Sequence, residues 1–268
     1  MSPSVKNAAR SSRNSTAVHA VARAGYAVNG VVNVIIGFIA IGIAISGGGS
    51  ADQSGAFGAI ASTPGGLILL WVIAVALAGL GLWYLVGSVL TQGQDTKNRA
   101  AAIAVEVGKG VAYLVFAATA FGFAVGGGSD SSKQSSSLTA DLLATPGGVV
   151  LVVVIGLAIC GIGVYMVRKG VTRKFEEDLT MPTGNAAKGV RAVGIAGYVA
   201  RGVALFIVGV LFVVAAVTAD PDKATGLDGA LKTLASLPFG QILLVLVGLG
   251  FIAYGVYSVA RARLARLN

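Results

Sequence analysis

The sequence predicts an all-α integral membrane protein. Six transmembrane helices form three tandem helical hairpins in a pseudo-threefold repeat, with both termini on the cytoplasmic side. Three observations carry this expectation. Six apolar stretches each approach the ~20 residues a helix needs to cross a bilayer. The second stretch of each pair opens on a recurring turn: Pro64-Gly65, Pro146-Gly147 and, in third place, Pro238-Phe239-Gly240. Lys and Arg gather in alternate loops, which sets an orientation.

Composition narrows the alternatives. The chain has 268 residues, 55% hydrophobic and only 12% charged, with mean hydropathy +0.83. A soluble domain carries roughly 25% charged residues. The spans fall at Ala24–Ser46, Gly66–Leu90, Ala100–Val125, Gly148–Val167, Gly194–Thr218 and Gly240–Ala260. Lipid cannot hydrogen-bond open backbone and the alternation of a barrel is missing, so the spans are helical. The first stretch outruns the apolar core of a signal peptide, about 7–15 residues, and its pattern recurs later.

A net charge of +9 raises nucleic acid as a partner, but the distribution argues against it. Lys6, Arg10, Arg13 and Arg23 stand at the N-terminus, and Lys97 and Arg99 in the second loop. Arg168, Lys169, Arg173, Lys174, Lys188 and Arg191 fill the fourth loop; Arg261, Arg263 and Arg266 close the chain. The remaining loops hold only Lys133, Lys223 and Lys232. This positive-inside pattern fits a bacterial plasma membrane protein with cytoplasmic termini, and it suits an anionic leaflet. Cys160 and His19 are the only residues of their kinds. A disulfide within the chain and a His- or Cys-rich metal site are therefore excluded, and no cofactor is expected.

The repeat is built on small residues. Aligned on Gly30, Gly110 and Gly202, the first helices read Gly30, Gly37, Ala44; Gly110, Ala117, Ala124; and Gly202, Gly209, Ala216. The second helices match at Ala74 and Gly81, Gly156 and Gly163, Gly248 and Gly255. A seven-residue step is two turns, so each set is one narrow seam for close helix approach. Cys160 matches Ala78 and reads as packing.

Thr63 and Thr145 read as N-caps before Pro, with Ser236 substituting in the third copy. Glycine runs at Gly47-Gly48-Gly49 and Gly126-Gly127-Gly128 lead into flexible loops. Leu227, Leu231 and Leu234 suggest a short amphipathic helix in the third copy. Trp83, Tyr165 and Tyr257 share one position and read as interfacial anchors. The domain plan is a disordered tail at 1–20, hairpins at 21–95 and 96–175, a cytoplasmic linker at 176–193, and a third hairpin with a basic tail at 194–268.

Here the residues resemble a known family. Gly197-Tyr198-Val199-Ala200-Arg201-Gly202, Gly229-Ala230-Leu231-Lys232-Thr233-Leu234, Leu237-Pro238-Phe239-Gly240 and Tyr254-Gly255 look like the bacterial membrane family called domain of unknown function 1206. That resemblance covers nearly everything after Arg23 and implies three two-helix repeats. It implies no activity. The first copy departs with Asn29 for the Arg, and the second with Glu106 for the Tyr and Lys109 for the Arg.

The candidate chemistry lies beside the seams. Asn29, Lys109 and Arg201 each precede the alignment glycine; Tyr26, Glu106 and Tyr198 lie four before it; Asn33, Tyr113 and Leu205 lie three after. These offsets share one helix face. Two readings stand. Asn29, Lys109 and Arg201, in a polar cluster with Tyr26, Glu106 and Tyr198, converge on a positive cytoplasmic vestibule, or the cations snorkel to headgroups. The carboxylates Asp52, Asp130, Asp141, Asp220, Asp222 and Asp228 read as solvated loop groups on the outer side. No nucleophile motif or phosphate loop is present, so the chain is expected not to be an enzyme. A structural or accessory component of a membrane complex, or one that self-associates, is the leading reading. The alternative is a pore or transporter for a small anion or amphiphile.

Overall fold

The computed structural model describes residues 16–90, 96–128 and 130–265, and all the regular structure among them is helical. The first repeat contributes α1 (Thr16–Ser46), α2 (Gln53–Ala61) and α3 (Gly66–Leu90). The second contributes α4 (Thr96–Ala124), α5 (Ser131–Leu143) and α6 (Gly148–Val171). The third contributes α7 (Asn185–Thr218), α8 (Gly226–Ala235) and α9 (Gly240–Leu264). Short 3-10 helices lie at Lys174–Asp178 and Pro221–Lys223. Six helices are long and apolar enough to cross a membrane, within α1, α3, α4, α6, α7 and α9.

Several expectations need revision. α1 begins at Thr16, inside the expected tail, and the rest of that tail lies outside the described residues with Lys6, Arg10 and Arg13. Arg266 and the side chains of His19, Lys97 and Arg99 are also outside them. α7 begins at Asn185, so half the expected linker is helix; Gly184, at φ 69°, starts it. The short helix expected only in the third repeat occurs in all three. α5 was hidden by its serines, but Asp130 caps it, accepting the backbone N–H groups of Ser132 and Lys133 at 3.0 and 3.1 Å. α2 is capped alike, with Asp52 accepting from Gly55 N–H at 2.8 Å.

The chain forms two compact units. One takes the described residues of 1–29, 60–127 and 258–268, and the other those of 30–59 and 128–257. In the first unit, α3 meets α4 where a Cβ on Gly81 would stand 3.0 Å from the Gly110 carbonyl oxygen. In the second, α6 meets α7 twice. Cβ atoms on Gly163 and Gly156 would lie 2.7 and 2.8 Å from the oxygens of Gly202 and Gly209. α9 meets α1 in the same way, Gly255 and Gly248 standing 2.5 and 2.8 Å from those of Gly30 and Gly37. Ala74 and Ala117 hold the remaining positions and are buried. Each pair joins the second helix of one repeat to the first helix of the next, and the third repeat to the first. Because lipid supplies no hydrophobic drive between helices, dispersion at such backbone contacts takes its place.

The turns explain the recurring motif. Thr63, Thr145 and Ser236 donate their hydroxyls back to the carbonyls of Ile60, Leu142 and Thr233 at 2.7, 2.6 and 2.7 Å. They close the preceding short helix and do not cap the following one. Gly65, Gly147 and Phe239 share a positive φ of 76°, 80° and 61°. The next residue is Gly66, Gly148 or Gly240, where a Cβ would collide with the carbonyl oxygen of Ile60, Leu142 or Leu234. The second glycine is therefore the one that the turn cannot replace.

Gly202→Val should lower the melting midpoint in detergent, since overpacking costs about 1–3 kcal/mol. Gly161→Ala, with nothing within 4 Å of the new methyl, should stay within about 0.5 kcal/mol of the parent. Thermal unfolding of both variants checks this, and equal midpoints would remove the α6–α7 approach from the account.

Candidate functional site

The polar residues of the first helices fall into two aromatic clusters, one in each unit. In the second unit the Arg201 guanidinium on α7 lies 4.6 Å from the centre of the Tyr254 ring. It donates at 3.5 Å to the side-chain oxygen of buried Asn33. One turn earlier, Tyr198 stacks on Phe175 at 5.4 Å and meets Tyr254 and Tyr257 edge-on, also at 5.4 Å. Arg201 is therefore folded over an aromatic face. A cation on such a face gains about 0.5–1 kcal/mol where water reaches it and more as it is desolvated.

Phe175 comes from the connection between α6 and α7 and is fully buried. Its ring fills the space beside Gly194, where a Cβ would stand 2.5 Å from it. Two ion pairs hold this segment down. Lys169 reaches Asp178 at 2.6 Å, and Arg191 grips Glu176 through two bonds of 2.7 and 3.0 Å. Arg191's hydrogen bond lowers the Glu176 pKa below the usual carboxylate range, and the same bond raises that of Arg191. The Lys169 ammonium also stands 5.7 Å over the Tyr198 ring.

The first unit repeats the theme with different residues. Tyr26 and Tyr84 share a hydroxyl hydrogen bond of 3.0 Å, and Arg261 lies 4.7 Å over the Tyr26 ring. Tyr84 stacks on Tyr113 at 5.6 Å. Lys109 pairs with Glu106 at 2.9 Å and stands 5.2 Å over Tyr84. Asn29 is buried in α1. Of the six candidate residues, Tyr26, Asn29, Glu106 and Lys109 thus belong to the first unit, and Tyr198 and Arg201 to the second.

A repeat rule missed from the sequence connects these clusters. Lys169 and Arg261 occupy one repeat position, six residues after Gly163 and Gly255. Each covers the tyrosine four residues before the partner glycine, Tyr198 or Tyr26. In the remaining pair those two positions are Gly87 and Glu106. Cation and tyrosine are lost together, and Glu106 takes Lys109 instead. By charge alone both cations read only as topology signals; the repeat offsets, continued past the glycines, lead to them. The anchor reading holds its exposed position only at Tyr165, because Trp83 and Tyr257 are buried within the clusters.

At the short helices, two expected solvated carboxylates are in fact buried. Asp228 accepts from Ala51 N–H at 2.9 Å, Lys232 at 2.7 Å and Ser132 at 3.5 Å, which ties all three repeats together. The Ser54 and Ser131 hydroxyls bond beside it. Asp52 is buried nearby. Burial raises its pKa, the Gly55 hydrogen bond opposes this, and repulsion from Asp228 and Asp130 adds to the rise.

Six spans in three turn-linked repeats, cross-paired through glycines, define a helical-repeat integral membrane protein. The chain belongs to the family Domain of Unknown Function (DUF1206), whose profile matches at residues 24–90, 106–173 and 196–265. It is similar to the uncharacterized protein YxxB of Bacillus subtilis (strain 168), with 30% identity over 245 residues, 89% of this chain and 88% of that one. No solved structure matches it.

Between its ordinary pKa near 3.8 and the raised folded value, Asp52 holds more proton folded than unfolded. Its stabilisation is therefore present below the ordinary value and lost as pH rises through the folded one. Asn caps a helix as well as Asp, so Asp52→Asn should melt higher than the parent at about pH 7, the gap closing on acidification. Melting curves in detergent across pH test this, and a gap independent of pH would refute it. Phe175→Ala should cost about 3–5 kcal/mol and speed tryptic cleavage at Arg173 and Lys174. An unchanged midpoint and digestion rate would show that Phe175 anchors nothing.

Proposed function

We propose that the protein is a non-enzymatic structural or accessory component of the bacterial plasma membrane, with both termini cytoplasmic, that packs with or assembles a membrane complex. The observation that carries this reading is a contrast among the spans. In the most apolar 18-residue windows of Ala102–Ala124 and Gly148–Val171, 11% and 17% of the residues are buried, against 33–50% in those of the other four spans. α4 is thus the least covered span of the first unit and α6 that of the second, and each leaves apolar surface for a partner helix. Val105 on α4 and Ile162 on α6 are each exposed.

The polar residues support the same reading. A pore or carrier for a small anion or amphiphile needs its cations free to meet solute, but Arg201 is engaged by Tyr254 and Lys109 by Glu106. Glu106 is also the only carboxylate within the six spans, and its ion pair leaves little for acid–base chemistry.

The test is affinity purification of the chromosomally tagged protein in mild detergent, read by mass spectrometry and native mass. A second polypeptide at fixed stoichiometry is expected. A clean monomer or self-oligomer would overturn the reading, and anion flux into liposomes lost in Arg201→Leu would replace it with transport.

A further inference from the structure

The close crossing of α6 and α7 leaves a groove of about 490 Å³ on the surface of the second unit, lined by Val164, Val167, Arg168, Val171, Val203 and Phe206. Its cause is the seam. Gly163 and Gly202 bring the backbones together, and the larger side chains beyond them flare apart. Apart from Arg168, the wall is hydrocarbon.

Arg168 sets this groove apart. It is exposed and forms no ion pair among the described residues. Of the carboxylates that follow it, Glu176 and Asp178 are taken by Arg191 and Lys169, and the exposed Glu177 is not paired with it. The same repeat position carries Val86 in the α3–α4 pair and Ala260 in the α9–α1 pair. An arginine in the lining thus belongs to this crossing alone and is not a by-product of the repeat.

We infer that this groove holds one anionic phospholipid, its acyl chain along the valines and its phosphate on Arg168. A guanidinium presents paired donors that match phosphate oxygens, and basic pockets between membrane helices recruit anionic headgroups. Charge complementarity selects lipid over protein. An apolar partner helix laid in the groove would bury the Arg168 charge unpaired, at high cost.

The test uses the full-length protein in mild detergent, given equimolar phosphatidylglycerol and phosphatidylcholine with identical chains and read by native mass spectrometry. The parent should retain phosphatidylglycerol over phosphatidylcholine by about fivefold, the discrimination one basic residue supplies at an anionic surface. Arg168→Gln should abolish the preference, and Lys188→Gln, outside the groove, should keep it. Val203→Trp fills the groove from α7 and should lose the bound lipid; parent-like melting midpoints show that the variants fold. The inference fails if the parent shows no headgroup preference, or if Arg168→Gln keeps it. It also fails if a cross-linker placed at residue 203 in membranes captures a second copy or another polypeptide in place of lipid.

Discussion

Everything in this structure depends on the approach of one glycine backbone to another across helices of successive repeats. In a bilayer, a leucine gains nothing by leaving lipid for protein, so helices that stay together need contacts lipid tails cannot imitate. Gly163 against Gly202 and Gly255 against Gly30 are such contacts, each too close to admit a methyl group. Their placement has a consequence for folding. The second helix of a repeat finds its matching seam on the first helix of the next, so a single repeat is not a self-sufficient unit. The compact units accordingly cut across the repeats, with boundaries inside α1 after Asn29 and inside α9 after Tyr257.

Once the seams are set, the polar groups beside them have few options. A residue six positions beyond the glycine of one helix faces a residue four positions before the glycine of the other. Two of the three crossings place a cation over a tyrosine there, Lys169 on Tyr198 and Arg261 on Tyr26. The third has Gly87 and Glu106, and supplies its own cation one turn along the helix as Lys109. Each solution keeps a charged group in contact with something better than hydrocarbon, through an aromatic quadrupole or an opposite charge. The paired loss of cation and tyrosine marks these positions as one interaction and not two.

Much of this was legible in the residues. The spans follow from apolar length, and the seam positions follow from seven-residue spacing, because both are periodicities within one helix. Which seam meets which does not follow, since spacing defines a face and not its partner. Asp228 reads as solvated because a carboxylate between Leu227 and Gly229 fits the polar side of a short amphipathic helix; its burial depends on Ala51 and Ser132 arriving from other repeats. Phe175 was invisible for a similar reason. It is one aromatic residue among Arg173, Lys174, Glu176 and Glu177, and only the tertiary position of Gly194 gives it a socket.

The three copies can also be read against one another, separating what the backbone demands from what the side chains do. The second glycine of the turn is unchanged at Gly66, Gly148 and Gly240, because a Cβ there meets a carbonyl oxygen. The residue before it has drifted to Phe239 despite its positive φ, because the space around that position is open. A left-handed conformation costs a non-glycine residue about 1–2 kcal/mol, which a fold can absorb; a collision with backbone it cannot. The same logic applies along the helices. Positions where backbones touch stay small in every copy, so their sameness reports architecture alone. Positions where the copies differ without loss of packing, Arg168 against Val86 and Ala260, are free of that constraint, and the chemistry peculiar to this chain is therefore to be sought there.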